Sequence, residues 1–210
     1  MAGSGGKMDV KIKGKNLVIT HKLQKDETYK VQTGKFNSVS IYKKPQIANG
    51  ISSYCGDGKH CLFIDYDDVP LWLVKEDYSR LQDEFSLPQA YLFHTQLNKE
   101  NDELYGNFHI ICLVKFYPKQ IYDILSKTHA DINFMSMPLR RRWRNWTLRI
   151  SAKKNKDRPT YYGLIGRKVE SELLCSNAHL NFLKKIYPLE EVKYNLDNND
   201  KIFLQKYETS

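Results

Sequence analysis

The sequence predicts an α+β fold: a βαββαβ core, preceded by a small antiparallel β unit and followed by a helix-and-strand extension. Three observations predict it. Apolar residues make up 41% of the 210 positions and aromatics 12%, a composition that fits a packed core and not a disordered chain. The middle of the chain changes between alternating and helical periodicity in the order strand, helix, strand, strand, helix, strand. No segment repeats at a fixed period, which excludes solenoid and propeller architectures.

The elements follow in order. "MAGSGGK" (1–7) reads as an appended tag before a native start at Met8. Residues 8–60 read as a β-rich subdomain: "DVKIKG", "NLVITHKL", "TYKVQ" and "NSVSIYKK" are β-prone runs parted by turns, and "IANGISSYCGDGKH" reads as loop. Residues 61–165 are the core. "CLFIDYD" is a strand, and "VKEDYSRLQDEF" a helix with Val74, Tyr78, Leu81 and Phe85 on one face. "AYLFHT" and the alternating "GNFHIICLVKF" are strands. "PKQIYDILSKTH" is a helix opened by Pro118, and "RNWTLRIS" supplies the fourth strand. Residues 166–210 add the helix "NAHLNFLKKIY" and the strand "KIFLQKY", packed on the core. In this ferredoxin-like arrangement the first and third strands are central neighbours and the fourth lies beside the first.

Composition narrows the function. A net charge of +9 and a pI near 9.2 suit a polyanionic partner. Four cysteines show no disulfide framework, and no apolar run reaches the length of a membrane span, so a cytoplasmic or nucleoid-associated protein is expected. "CGDGKHC" places Cys55, His60 and Cys61 together, a short metal-like spacing without a second pair of ligands.

"CLFIDYDDVP" is the most informative stretch. Alternation puts Leu62, Ile64 and Tyr66 on one face of the strand and Phe63, Asp65 and Asp67 on the other. On the third strand Asn107 and His109 share a face. If helices cover the apolar side, Asp65, Asp67 and His109 stand together on the open side. Neighbouring carboxylates repel one another unless a cation intervenes, and hard Mg²⁺ or Mn²⁺ suits them. Asp131, just past the second helix, is positioned to enter the fourth strand beside Asp65 as a third carboxylate. Asp68 reads as a turn residue before Val69-Pro70.

The charge is concentrated further on. Arg140, Arg141, Arg142, Arg144, Arg149 and Arg158, with Lys153, Lys154 and Lys156, face only Asp157, and Trp143 and Trp146 lie among them. Guanidinium groups suit phosphate oxygens and indoles suit bases, so this segment is expected to bind DNA.

These residues carry a resemblance. "FIDYD", then "FHTQ" and "YGNFHII", then "AD", then "LRISAKK" resembles the archaeo-eukaryotic primase superfamily over roughly Leu62 to Lys154. The resemblance implies a primase or primase-polymerase core that joins nucleotides on a single-stranded DNA template with two metal ions. It implies Asp65, Asp67 and Asp131 as metal-binding catalytic residues. Asn107, His109, Arg149 and Lys153 are implied around the nucleotide. Template or primer DNA would lie along Arg140, Arg141, Arg142, Trp143, Arg144, Trp146 and Lys154. Nucleoside triphosphates, a primed template and a helicase or accessory replication subunit are the partners it implies, and a plasmid or virus is a fitting origin for so compact a chain. Asn107 departs from the family's usual serine, although an amide still donates to phosphate.

Two other functions share the topology. An RNA-recognition-type binding module would show aromatics on its first and third strands where this chain has Asp65, Asp67 and His109. A rolling-circle nuclease would need two histidines flanking one residue on the central strand, and "NFHII" has one.

Overall fold

The computed structural model describes residues 7–13, 18–24, 29–33, 39–43, 46–100, 103–140, 145–152 and 157–209, with side chains at 49–98, 103–139, 145–152 and 157–205. The chain divides into two compact units, Met1–Gln46 with Glu208–Ser210, and Ile47–Tyr207. In the first unit β1 (Lys7–Lys13) pairs antiparallel with β2 (Val18–Gln24), and β3 (Tyr29–Thr33) pairs antiparallel with β4 (Val39–Lys43).

The second unit is mixed α and β. It begins at Ile47, within β5 (Gln46–Ser52), a strand where composition suggested a loop. Ile51 is fully buried, and the backbone of Gly50, Ile51 and Ser52 is paired across the sheet, so tertiary pairing overrides the Asn-Gly turn signal. The central elements are β6 (His60–Pro70), α1 (Leu71–Phe85), β7 (Ala90–Glu100), β8 (Glu103–Phe116) and α2 (Pro118–Leu125). β8 runs antiparallel between β6 and β7. The first and third strands of the core are therefore neighbours, with the second outside the third.

Amphipathic spacing explains the helices. Leu71, Val74, Tyr78 and Leu81 form the buried face of α1, and Ile121, Ile124 and Leu125 that of α2. Pro118 at the first turn of α2 needs no hydrogen-bond partner for its nitrogen, and Gln120 Oε1 accepts from the Tyr117 N–H at 3.0 Å.

The chain departs from the expected order after α2. Two single-turn helices follow, α3 (Ile132–Met135) and α4 (Met137–Arg140), before the short strand β9 (Thr147–Arg149). β9 pairs with β5 and not with β6. Backbone groups of β6 are already engaged elsewhere: the Asp131 N–H donates to Asp65 C=O at 2.8 Å, and the Cys61 N–H donates to Ser53 C=O at 2.8 Å. The place expected for a fourth core strand is thus taken by connecting segments.

The remaining elements are β10 (Thr160–Ile165), β11 (Leu174–Ser176), α5 (Asn177–Ile186), β12 (Asn195–Asp197) and β13 (Leu204–Thr209). β10 pairs with β7, β11 with β8 and β12, and β13 lies on β5 in the order β13-β5-β9. Ser176 caps α5 by accepting from the His179 N–H, and Lys184 and Lys185 complement the dipole at its end. No helix among the described residues is long and apolar enough to cross a membrane.

Candidate functional site

The register of β6, β7 and β8 builds the site in rows. Phe63 lies opposite Ile111, and Ile111 opposite Tyr91; one row on, Asp65 lies opposite His109, and His109 opposite Phe93. Leu62, Ile64, Tyr66, Phe108, Ile110 and Cys112 point to the other side, where they are fully buried. The face expected to be open is half covered. The Phe63 ring meets His179 of α5 edge-on at 6.1 Å, and Phe93 meets Tyr187 at 4.8 Å. Asp65 and His109 occupy the row where the apolar packing gives way to polar side chains, and Asp67 beyond them is exposed.

Asp65 Oδ1 lies 3.1 Å from His109 Nε2. That oxygen is buried from water and is not aligned for a hydrogen bond with any partner. A carboxylate oxygen shut away without an aligned donor costs stability, a cost that a bound cation would offset.

The strand bends at the next residues. Tyr66 pairs with Phe108 and Val69 with Gly106, so Asp67 and Asp68 together oppose the single residue Asn107. This is a β-bulge, with Asp68 in the left-handed region at φ 54°. Asp tolerates that conformation better than most residues, and so Asp68 is a backbone device. Asn107 Oδ1 accepts from the Asp68 N–H at 2.8 Å, which fixes the amide and leaves its NH₂ as the donor end.

Asp131 lies beside Asp65 through its backbone, but does not enter a strand. Its carboxylate caps α3: Oδ1 accepts from the Asn133 N–H at 3.0 Å and from Asn133 Nδ2 at 3.2 Å, and Oδ2 accepts from the Phe134 N–H at 3.1 Å. A buried carboxylate sets the approach of this segment. Asp77 on α1, fully buried, accepts from Tyr66 Oη at 3.2 Å, Arg80 Nη2 at 2.6 Å and the His129 N–H at 2.8 Å. Arg80 also donates to Lys127 C=O at 2.6 Å. The chain from Lys127 to Asp131 is thereby tied to both α1 and β6.

The carboxylate oxygens of Asp65, Asp67 and Asp131 do not all converge. The group of three metal-ligating side chains within 4.8 Å of one another, among the described residues, is instead Cys55, Cys61 and His179. Asp65 and Asp67 still suit a hard cation, as acceptor-only groups on one strand with one orphaned oxygen between them. Asp131 retains one uncommitted lone pair, on Oδ2, since Oδ1 already accepts twice.

Two residues expected at the nucleic-acid surface serve other ends. Trp146 is 1% exposed and packs edge-on against Tyr122 at 5.0 Å and His60 at 5.6 Å, so its ring has no face for a base. Arg149 is buried, and its Nη1 donates to Ser151 C=O at 2.6 Å and Asp157 C=O at 2.7 Å, holding together the ends of the segment that contains Lys153 and Lys154. Arg141, Arg142, Trp143, Arg144, Lys153 and Lys154 lie outside the described residues. So does the side chain of Arg140.

Sequence reasoning missed His179, which lies 118 positions beyond Cys61 and carries no local signal. It also grouped His60 with the cysteines. His60 instead faces Ser53 Oγ at 2.9 Å, and burial pushes its pKa down to about 4, so it is neutral. Comparison with known proteins gave no matching family model, curated protein or solved structure.

Proposed function

We propose that this chain is a metal-dependent nucleotidyltransferase, a primase or primase-polymerase with the core of the archaeo-eukaryotic primase superfamily, acting on single-stranded DNA. The observation that carries this reading is the pairing of Asp65 with His109 across two strands: the buried Asp65 Oδ1 lies 3.1 Å from His109 Nε2 without an aligned hydrogen bond, in the row where the covered core ends. A carboxylate at this position would repel a nucleic-acid backbone in a plain binding module, whereas a catalytic metal site makes use of it.

Asp65 and Asp67 would hold Mg²⁺ or Mn²⁺, with Asp131 as the third carboxylate. Bound there, the ions would activate a primer 3′-hydroxyl and neutralise charge on the departing pyrophosphate. The hydroxyl oxygen bonds to the α-phosphorus as the bond to pyrophosphate breaks. His109, once Asp65 is engaged, donates to a phosphate oxygen of the triphosphate. The Asn107 amide is pre-set by the bulge, and its NH₂ serves the same phosphates. Arg149 positions the lysine-bearing segment through its two carbonyl contacts instead of clamping phosphate itself. Base stacking falls to Trp143, since Trp146 is a core residue.

The test is template-directed nucleotide incorporation with Mg²⁺ or Mn²⁺, on primed and unprimed templates. Wild type is compared with Asp65→Asn, Asp67→Asn. Metal-dependent products that vanish in the double variant, with DNA affinity retained, support the reading. Products that persist in the variant, or none from the wild type with either metal, overturn it.

A further inference from the structure

Apart from the carboxylate site, the second unit contains a compact set of soft ligands. Cys55 and Cys61 flank a loop in which Gly56 (φ 91°) and Gly58 (φ 83°) adopt conformations that side chains resist, and the Cys55 N–H closes the turn on Lys59 C=O at 2.9 Å. The loop brings the two sulfurs to 3.7 Å. That is too long for a disulfide, and it matches the separation of about 3.8 Å that two thiolates take on a tetrahedral zinc with Zn–S bonds near 2.3 Å. His179 arrives from α5, with a ring nitrogen within 4.8 Å of both sulfurs. All three residues are buried, none more than 1% exposed.

We propose that Cys55, Cys61 and His179 form a structural site for a zinc-class soft divalent cation that fastens the C-terminal extension to the core. His179 is prepared for this. Its Nε2 lies 2.8 Å from Ser52 C=O, which only accepts, so that nitrogen carries a hydrogen and Nδ1 is the atom left to ligate. A ligating histidine commonly donates its other N–H to a carbonyl in this way. Nδ1 now faces Ser176 Oγ at 2.6 Å, whose hydrogen is directed to Asp200 Oδ2; the cation displaces this contact, and any Nδ1 proton leaves with it. Charge balances among the ligands themselves. Two thiolates and a neutral imidazole cancel a divalent ion, and the protons displaced from the thiols and from Nδ1 pass to solvent. The weak donation of Cys55 to Ser53 C=O and of Cys61 to Leu113 C=O is exchanged for metal–sulfur bonds. Soft thiolates favour zinc over the magnesium or manganese proposed for the aspartates, so the two sites do not compete.

The test titrates the full chain, stripped by chelator under reducing conditions, with CoCl₂ and then ZnCl₂. One Co²⁺ per chain is expected to show sulfur-to-cobalt charge-transfer absorption and the intense visible bands of tetrahedral cobalt, bleached by one equivalent of Zn²⁺, apart from any cobalt the aspartates take without charge transfer. Cys55→Ser and His179→Gln should each weaken binding at least 10-fold, and Cys175→Ser should leave it unchanged. Zn²⁺ should raise the melting temperature of the wild type but not of Cys55→Ser. Octahedral cobalt without charge-transfer absorption in the wild type overturns the proposal, as does equal binding by Cys55→Ser. Should Cys55→Ser fail to fold, the wild-type cobalt spectrum decides alone.

Discussion

Asp65 and His109 stand opposite each other on adjacent antiparallel strands, Oδ1 and Nε2 3.1 Å apart, and that oxygen makes no hydrogen bond. The arrangement sacrifices stability at a point where an amide would cost less. Asp65→Asn is therefore expected to melt at or above the wild-type temperature, stabilised by up to about 1 kcal/mol, while incorporation falls by at least about 100-fold. Thermal melts and incorporation rates on one preparation check both. A variant that is active, or one that is inactive because it is unfolded, would contradict the assignment.

Asp131 separates two roles within one carboxylate. As an N-cap, Asp and Asn are nearly equivalent, and alanine costs about 1 kcal/mol. As a metal ligand, Asn fails. Asp131→Asn should thus unfold at the wild-type urea concentration yet lose most incorporation, whereas Asp131→Ala should lose both. Full activity in Asp131→Asn would reduce this residue to its capping contacts with Asn133 and Phe134.

The central part of this organisation is visible in the sequence because it is local. Alternation in "CLFIDYD" and "GNFHIICLVKF" and the 3.6-residue spacing of Val74, Tyr78 and Leu81 reflect burial on one side, so β6, β8 and α1 follow from them. What was not legible depends on distant pairing. β5 reads as loop because Asn49-Gly50 is a turn signal until β9 and β13 flank it. Trp146 reads as a surface aromatic among arginines, yet Tyr122 and His60 bury it. Capping explains Asp131, but the path that sets it beside Asp65 runs through Asp77, a buried charge on a helix otherwise read only for its apolar face.

Gly106 holds the strand pair next to Asn107. A Cβ there would lie 2.1 Å from Gln96 C=O, a backbone atom that cannot swing aside, at the irregularity between His94 and Gln96. Gly106→Ala is expected to destabilise the protein by about 1–3 kcal/mol and to displace Asn107. Denaturant unfolding measures the first. A raised KM for nucleotide at temperatures where the variant is folded would report the second. A shift below about 0.5 kcal/mol would mean that the two strands part easily.

The arginine-rich segment should contribute through phosphate contacts. Arg141→Glu with Arg144→Glu is expected to weaken single-stranded DNA binding and to flatten the plot of log affinity against log salt by about one unit or more. Binding isotherms at several salt concentrations measure the slope directly. An unchanged slope would remove the segment from the interface, whatever happens to affinity at one salt concentration.

Lys115 offers a pH-dependent test of the C-terminal extension's attachment. Its ammonium, 1% exposed, lies 2.6 Å from Asp57 and 2.5 Å from Asp197 on β12. Burial pushes the Lys115 pKa down, but the hydrogen bonds it donates to Asp197 and Asp57 outweigh that and hold the pKa well above the usual lysine range. The Lys115 hydrogen bond holds Asp197 below the usual carboxylate range, and it does the same for Asp57 against that group's own burial. The depressed carboxylates contribute stability that is present above their ordinary value of 3.8 and lost as pH falls through the lowered folded values. The raised lysine contributes stability that is complete below 10.5 and lost as pH rises beyond it. The triad is therefore fully effective at neutral pH. Lys115→Met leaves two carboxylates at most about 5 Å apart without their cation, one of them substantially exposed. The expected cost is about 2–3 kcal/mol at pH 7. It should shrink toward pH 4, because the variant's carboxylates, no longer depressed, take up protons and cease to repel. Urea unfolding of both proteins at pH 7 and pH 4 measures the difference, and an equal cost at the two values would show that the methionine acts through packing alone.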